Sequence, residues 1–232
     1  GRDNRMDTGE RAYEKIINYV EQQVMQGCYK KGDKLPPERE LAALLGASRN
    51  SVREGLGILE RMGAISSQQG AGNFISDNFE KTLIEVMTLM FILEEGTFRE
   101  ISEFRYALET QALALAMEHI SKKQLADIEY YMSMLEKTPE EDMKAYYDKM
   151  IHYTITAASG NRFIIDNLQA LTAVMDVFIK DMRAKILSDG SNSEGLMAAH
   201  RKMVEALREK NMEKGMQALK VHFEYIYEYI DG

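Results

Sequence analysis

Residues 35–76 read LPPERELAALLGASRNSVREGLGILERMGAISSQQGAGNFIS, and the reading of this stretch decides the fold. Pro36 and Pro37 interrupt any helix that precedes them and pre-set the first turn of one that follows. Leu41, Leu44 and Leu45 predict a short helix over 38–45 with those leucines inward. Gly46 permits a tight turn, and Ser48 is a good N-cap for a second helix over 49–62, whose buried stripe is Val52, Leu56 and Leu59. Gly63 ends that helix. AISSQ and NFIS then flank Gln69-Gly70-Ala71-Gly72, a connection with two glycines that suits a hairpin tip. Two helices around a short Gly-containing turn form a helix-turn-helix, and the hairpin behind them has the place of a wing. Upstream, apolar residues at helical spacing over 10–26 (Tyr13, Ile16, Ile17, Val20, Val24), closed by Gly27, predict a leading helix.

The second helix opens with Ser48-Arg49-Asn50-Ser51-Val52-Arg53, polar residues at the end that can reach base edges and phosphates. Arg49 and Arg53 lie at i and i+4, opposite the leucines, and Arg39 sits in the first turn of the preceding helix. Three arginines on one surface suit guanine O6/N7 or bidentate phosphate contact. The competing reading is a solvated helix pair in which these arginines meet Glu38, Glu40 and Glu54. The wing directly afterwards favours nucleic acid.

The whole chain of 232 residues carries a net charge of −8, unevenly spread. Residues 1–76 hold 11 Lys+Arg against 10 Asp+Glu, a balance of +1, and the rest hold 18 against 27, a balance of −9. Phosphate binding needs a local basic face rather than a basic whole. No apolar run approaches about 18 residues, so no transmembrane helix is expected, and residues 1–11 lack the apolar segment of a signal peptide. Cys28 is the only cysteine, which excludes an intrachain disulfide and fits a reducing cytoplasm.

After Asp77 the texture turns helical, with Pro139 the only proline. Periodicity and breaks predict seven helices: 79–93, 97–119, 121–136, 140–158, 162–187, 192–209 and 212–230. The expected fold is mainly α: a winged helix-turn-helix over 8–76, then an all-α antiparallel bundle over 79–230. Four histidines are present. Asp148 and His152 stand at i, i+4 on one helix, and His200 and His222 sit among apolar residues of the last two. If the bundle brings them together, one carboxylate and three imidazoles suit Zn²⁺, with Ni²⁺, Mn²⁺ or Fe²⁺ as alternatives. Spacing alone equally allows histidines that are simply packed and hydrogen-bonded. The 16 methionines read as adaptable core.

The words LP-x-ERELA, LG-x-SR, VRE-x-L-x-x-LE and G-x-G-x-F resemble the GntR family of bacterial transcription factors. The resemblance implies that Arg39, Arg49 and Arg53 contact operator DNA, with Asn50, Ser51 and the wing glycine Gly70 beside them. Gly55 departs from the family's usual alanine. EFRYALETQALALA, DKMIHYTITAASGN, AAHRKMVEAL and ALKVH resemble the all-helical FCD effector domain of the FadR subfamily. This implies that Asp148, His152, His200 and His222 are metal ligands, and that Arg105 grips an effector carboxylate with Asn161 as a further contact. Without the resemblance, Arg105 could as well pair with Glu103 or Glu109.

The expected function is that of a regulator, not an enzyme: a cytoplasmic homodimeric repressor on a palindromic operator, controlled by a small organic acid at the metal site. The rivals are a metal-dependent enzyme acting on small acids, and a regulator whose metal is structural with no effector.

Overall fold

The computed structural model describes residues 11–179, 182–190 and 193–231. The first residues of the expected leading helix and N-terminal domain, 8–10, therefore lie outside the described residues, as does Asn192. The chain divides into two compact units, 1–83 and 84–232.

In the first unit, α1 (Ala12–Met25), α2 (Glu38–Leu45) and α3 (Arg49–Met62) precede β1 (Ile65–Gln68) and β2 (Gly72–Ile75). Pro37 caps α2, and Gly46 ends it in the left-handed region at φ 61°. The Ser48 hydroxyl accepts from the Ser51 amide and opens α3, as its residue type dictates. Leu41 and Ala42 are buried and Leu45 packs against them. Leu44, expected inward, is 61% exposed. It falls about 100° off the stripe that 41, 42 and 45 define at 3.6 residues per turn.

β1 and β2 pair antiparallel, Ile65 with Ile75 and Gln68 with Gly72. The segment before α2 adds to this ribbon: Leu35 N–H donates to the Asn73 carbonyl and Ile75 N–H to that of Asp33. The wing is thereby tied to the turn that precedes the helix pair.

Gly55 is buried in α3, and the unusual glycine has a packing reason. A Cβ there would lie 1.9 Å from Ile16 Cγ2 and 2.6 Å from the Tyr13 carbonyl oxygen of α1. The two helices approach too closely for alanine. Gly57, one turn-half away, has nothing within 4 Å. Gly55→Ala should therefore destabilise this unit by about 1–3 kcal/mol through overpacking, whereas Gly57→Ala should stabilise it by about 0.4–1 kcal/mol. Denaturant melts of the two variants check this; equal midpoints would contradict the close approach.

α4 (Glu80–Leu93) spans the division between the units. The second unit continues with α5 (Phe98–His119), α6 (Lys122–Lys137), α7 (Glu141–Ala158), α8 (Arg162–Phe178), α9 (Met182–Ser188), α10 (Ser193–Glu209) and α11 (Met212–Asp231). Capping boxes open α5 (Thr97 with Glu100) and α6 (Ser121 with Gln124). α6 packs on α7, α10 on α11, and α5 against α7, α8 and α11. Leu113, Ile128, Leu135, Ile151, Met203, Leu207, Leu219 and Phe223 form the centre of the core. α4 buries no residue: Leu89, Ile92 and Leu93 are 56%, 53% and 76% exposed.

The expected single helix over 162–187 is two helices. α8 ends at Phe178, with Ile179 at φ −122°, ψ 80°, and α9 runs Met182–Ser188. Neither proline nor glycine marks the break. The gain is tertiary: Ile186 and Leu187 of α9 enter the main core, and Arg183 reaches Asp148 of α7. Eight helices thus follow the wing among the described residues, where seven were expected.

Candidate functional site

α7 sets Asp148 and His152 one turn apart on its buried face, α10 contributes His200 and α11 contributes His222. All four are at most 7% exposed, and one donor atom from each lies within 4.8 Å of the others. His152 Nε2 is 3.3 Å from His200 Nε2 and 3.1 Å from His222 Nε2. Asp148 Oδ1 is 2.5 Å from His200 Nε2 and 3.4 Å from His152 Nε2.

The protonation pattern is decided by the other ring nitrogens. His200 Nδ1 lies 2.8 Å from the Leu196 carbonyl, which can only accept, so Nδ1 donates. His152 Nδ1 lies 3.1 Å from Glu109 Oε1, another acceptor. In their neutral forms both imidazoles then present Nε2 lone pairs to each other and to Asp148 Oδ1, a buried oxygen with no hydrogen-bond partner. Converging lone pairs repel unless a cation sits among them. Ligand atoms held 2.0–2.1 Å from an ion in tetrahedral or octahedral array stand about 2.9–3.4 Å apart, which is the spacing between these nitrogens. The donor set fits a divalent transition metal.

The buried carboxylates around the cluster draw positive charge to it, whether a metal ion or a proton. Burial alone would raise the Glu109 carboxyl, but the Arg105 guanidinium and then His152 hold it down at about 2. Burial likewise opposes ionisation of Asp148, yet Arg183, then His200, keep it well below the usual carboxylate range. Burial, reinforced by His152 and His200, drives His222 well below an ordinary histidine. At His152 burial disfavours the charged ring, and Glu109 and Asp148 outweigh it and raise its pKa.

Two residues at this site escaped the sequence reading. From the sequence Glu109 reads only as a partner of Arg105; its second oxygen is indeed 3.4 Å from Arg105 Nε, while its first orients His152 in a carboxylate–histidine pair. Arg183 ion-pairs with Asp148 Oδ2. Their i,i+4 spacing could have signalled the Arg105–Glu109 pair, but nothing local signals Arg183.

A cavity of about 30 Å³ adjoins the cluster, lined among others by Arg105, Asp148, Thr172, Met175, Arg183 and His222. It has room for about two waters. Arg105 is 4% exposed; beyond Glu109 its Nη1 meets Met175 Sδ at 3.9 Å, and the guanidinium lies over the Phe223 ring at 5.2 Å from its centroid. Asn161 is not in the lining. Its side-chain oxygen accepts from the Ile164 amide at 3.1 Å and caps α8. His119, the fourth histidine, ends α5 on the surface.

In the first unit Arg39, Arg49 and Asn50 are exposed, and Arg39 and Arg49 make no ion pair among the described residues. Arg53 is held by Glu38: Nη2 and Nε donate to the same carboxylate oxygen at 3.0 and 3.2 Å. Ser51 receives a hydrogen bond from the Ser48 hydroxyl at 2.8 Å. Gly70 stands at the hairpin tip with φ 78° and nothing within 4 Å of a Cβ there, so its backbone conformation, not crowding, asks for glycine.

Two family models match this chain. The model described as "Bacterial regulatory proteins, gntR family" matches residues 12–75, and that described as "FCD domain" matches residues 100–225. The Uxu operon regulator of Haemophilus influenzae is 24% identical over 228 residues, covering 97% of this chain and 84% of its own. The HTH-type transcriptional repressor YtrA of Bacillus subtilis is 42% identical over 95 residues, covering 41% of this chain and 72% of its own. Among solved structures, Streptococcus agalactiae GntR superposes with a TM-score of 0.63 at 20% identity, covering 94% of this chain and all of that one.

Proposed function

We propose a function from this premise: the chain belongs to the gntR family of bacterial regulatory proteins and carries an FCD domain. It is accordingly a DNA-binding transcriptional regulator with an effector-binding helical domain, and its homologues and fold neighbours are regulators rather than enzymes. Our reading goes further. Asp148, His152, His200 and His222 hold a divalent metal, Zn²⁺ by donor chemistry. A small organic acid binds at that metal and at Arg105, and its occupancy lowers the affinity of the protein for its operator. The protein thus acts as a repressor.

The observation that carries this reading is the convergence of buried lone pairs on one point, beside a guanidinium with donors to spare. When bound, the metal supplies a Lewis-acidic centre for a carboxylate oxygen. The chain's own residues do the rest. Glu109 and the Leu196 carbonyl fix the ring orientations of His152 and His200, and Arg105 offers N–H groups to an anion. The cavity holds about two waters, and we assign to acid binding a displacement of part of its wall. α9, which contributes Arg183, Ile186 and Leu187 to that wall, is the element we assign to this displacement. Effector binding then becomes a packing change in the bundle.

On the DNA side we assign Arg39, Arg49, Asn50, Ser51, Arg53 and Gly70 to operator contact, within a domain we place at 8–76 ahead of a bundle at 79–230. The exposed apolar side chains of α4 suit cover by a second copy, and a dimer matches a palindromic operator. No described helix is long and apolar enough to cross a membrane; a regulator of DNA works in the cytoplasm.

The test is metal analysis of the purified chain, followed by a melting screen of small carboxylates with and without chelator. One metal per chain, and stabilisation by carboxylate only when metal is present, are expected. A metal-free protein that melts identically with and without added Zn²⁺ sinks the reading; a metal that stabilises without any carboxylate response leaves only a structural role. Glu109→Gln should weaken metal affinity about 10–100-fold, because the ring of His152 loses its charged orienting partner. Competition with a chromogenic chelator measures it, and unchanged affinity would remove Glu109 from the account.

A further inference from the structure

Two guanidinium groups, not one, line the cavity: Arg105 from α5 and Arg183 from α9. Each faces one buried carboxylate, Arg105 that of Glu109 and Arg183 that of Asp148. With neutral imidazoles these four charges balance. Asp176 also touches the lining and acts on Arg183, after Asp148 and Glu109, but its side chain is 59% exposed and lies 3.9 Å from Lys149 Nζ, so solvent and that lysine offset much of its charge. A divalent ion at the four-ligand cluster therefore leaves two positive charges uncompensated in a buried site, an arrangement that low-dielectric surroundings penalise heavily. A monocarboxylate cancels one of them; a dicarboxylate cancels both.

We infer that this centre takes a small dicarboxylate, with one carboxylate at the metal and Arg105 and the other on Arg183. The inference rests on the metal-and-carboxylate reading above and adds to it the charge class of the effector and its second anchor. Arg183 suits the task on two grounds. A metal bound to Asp148 competes for the charge that now holds Arg183, which loosens its hold on that carboxylate. Its planar fork then offers paired N–H donors to a second carboxylate. Arg183 is 19% exposed, at the edge of the cluster rather than sealed within it.

Isothermal titration of the full, Zn²⁺-loaded chain tests this with matched pairs: succinate against butyrate, malate against 2-hydroxybutyrate, and glutarate against valerate. In each pair a methyl replaces one carboxylate. At least one dicarboxylate should bind about tenfold or more tighter than its partner. Arg183→Gln, titrated at saturating Zn²⁺ with its metal content measured alongside, should reduce that ratio to about threefold or less. Arg183→Lys, which keeps a charge without the fork, should retain part of the ratio, and it decides the matter should the Gln variant fail to fold or to hold Zn²⁺. Equal binding within every pair by the wild type overturns the inference and leaves the metal–carboxylate reading intact. So does a ratio that survives Arg183→Gln. Binding of neither kind to the loaded protein overturns the carboxylate reading itself, and this inference with it.

Discussion

Arg49→Ala is expected to abolish selective DNA binding while the helical domain stays folded and keeps its metal. Arg49 is the first residue of α3, exposed, with no ion pair among the described residues. Its five N–H donors are therefore uncommitted before DNA arrives. A bidentate arginine–guanine contact is worth about 1–3 kcal/mol of discrimination. In a dimer on a palindrome the loss is counted twice, roughly 2–6 kcal/mol, or 30-fold to more than 10⁴-fold in affinity. Arg53 provides the internal comparison. It must first release Glu38, to which it donates two hydrogen bonds, so part of any DNA contact is offset and Arg53→Ala should cost less than Arg49→Ala. The measurement is a binding isotherm on duplexes that the wild-type protein selects from a random pool, with unselected duplex as reference. An Arg49→Ala protein that keeps wild-type preference for the selected sequence would remove α3 from the reading role.

His200→Ala should empty the metal centre. His200 is fully buried, with Nδ1 committed to the Leu196 carbonyl and Nε2 2.5 Å from Asp148 Oδ1. Its loss removes one of the four ligands and leaves Asp148, His152 and His222 short of a tetrahedral set. Bound Zn²⁺ should fall from near one per chain to about a tenth or less. The stabilisation that Zn²⁺ confers on the wild type, about 2.7 kcal/mol at a hundredfold excess over its dissociation constant, should vanish with it. His119→Ala is the control: that ring lies on the surface at the end of α5, and its removal should change neither quantity. Undiminished Zn²⁺ in the His200 variant would mean that the four-residue cluster is packing alone.

How much of this the sequence carried varies with the range of the interactions involved. The helix-turn-helix and wing were legible because local chemistry writes them: Pro36-Pro37 before α2, Gly46 and Gly63 after helices, Ser48 as an N-cap, and two glycines at a hairpin tip. Each acts within a few residues of itself. Gly55 was visible as an oddity but not as a fit, since the crowding against Tyr13 and Ile16 belongs to another helix. The four candidate ligands were legible as residue types, and only the packing of α7, α10 and α11 could bring them within reach of one ion. Glu109 was half legible, its i,i+4 relation to Arg105 readable and its contact with His152 not. Arg183 was not legible at all. It meets Asp148 because the chain breaks after Phe178, and IKDMRAKIL carries no proline or glycine to announce a stop, so helical periodicity runs straight through it. Asn161 reads from its word as an effector contact, and the structure adds a local role that its residue type allows: its side-chain oxygen accepts from the Ile164 amide in the first turn of α8.

The central claim is that a metal-bound acid sets operator affinity. It is tested most directly by titrating the selected duplex with Zn²⁺-loaded and chelator-stripped protein, each with and without saturating concentrations of the dicarboxylate that binds best. The account predicts that the acid weakens DNA binding by about 5–150-fold in the Zn²⁺-loaded protein, a coupling of roughly 1–3 kcal/mol, and leaves the stripped protein unmoved. An equal shift without metal, or no shift with it, would contradict the account.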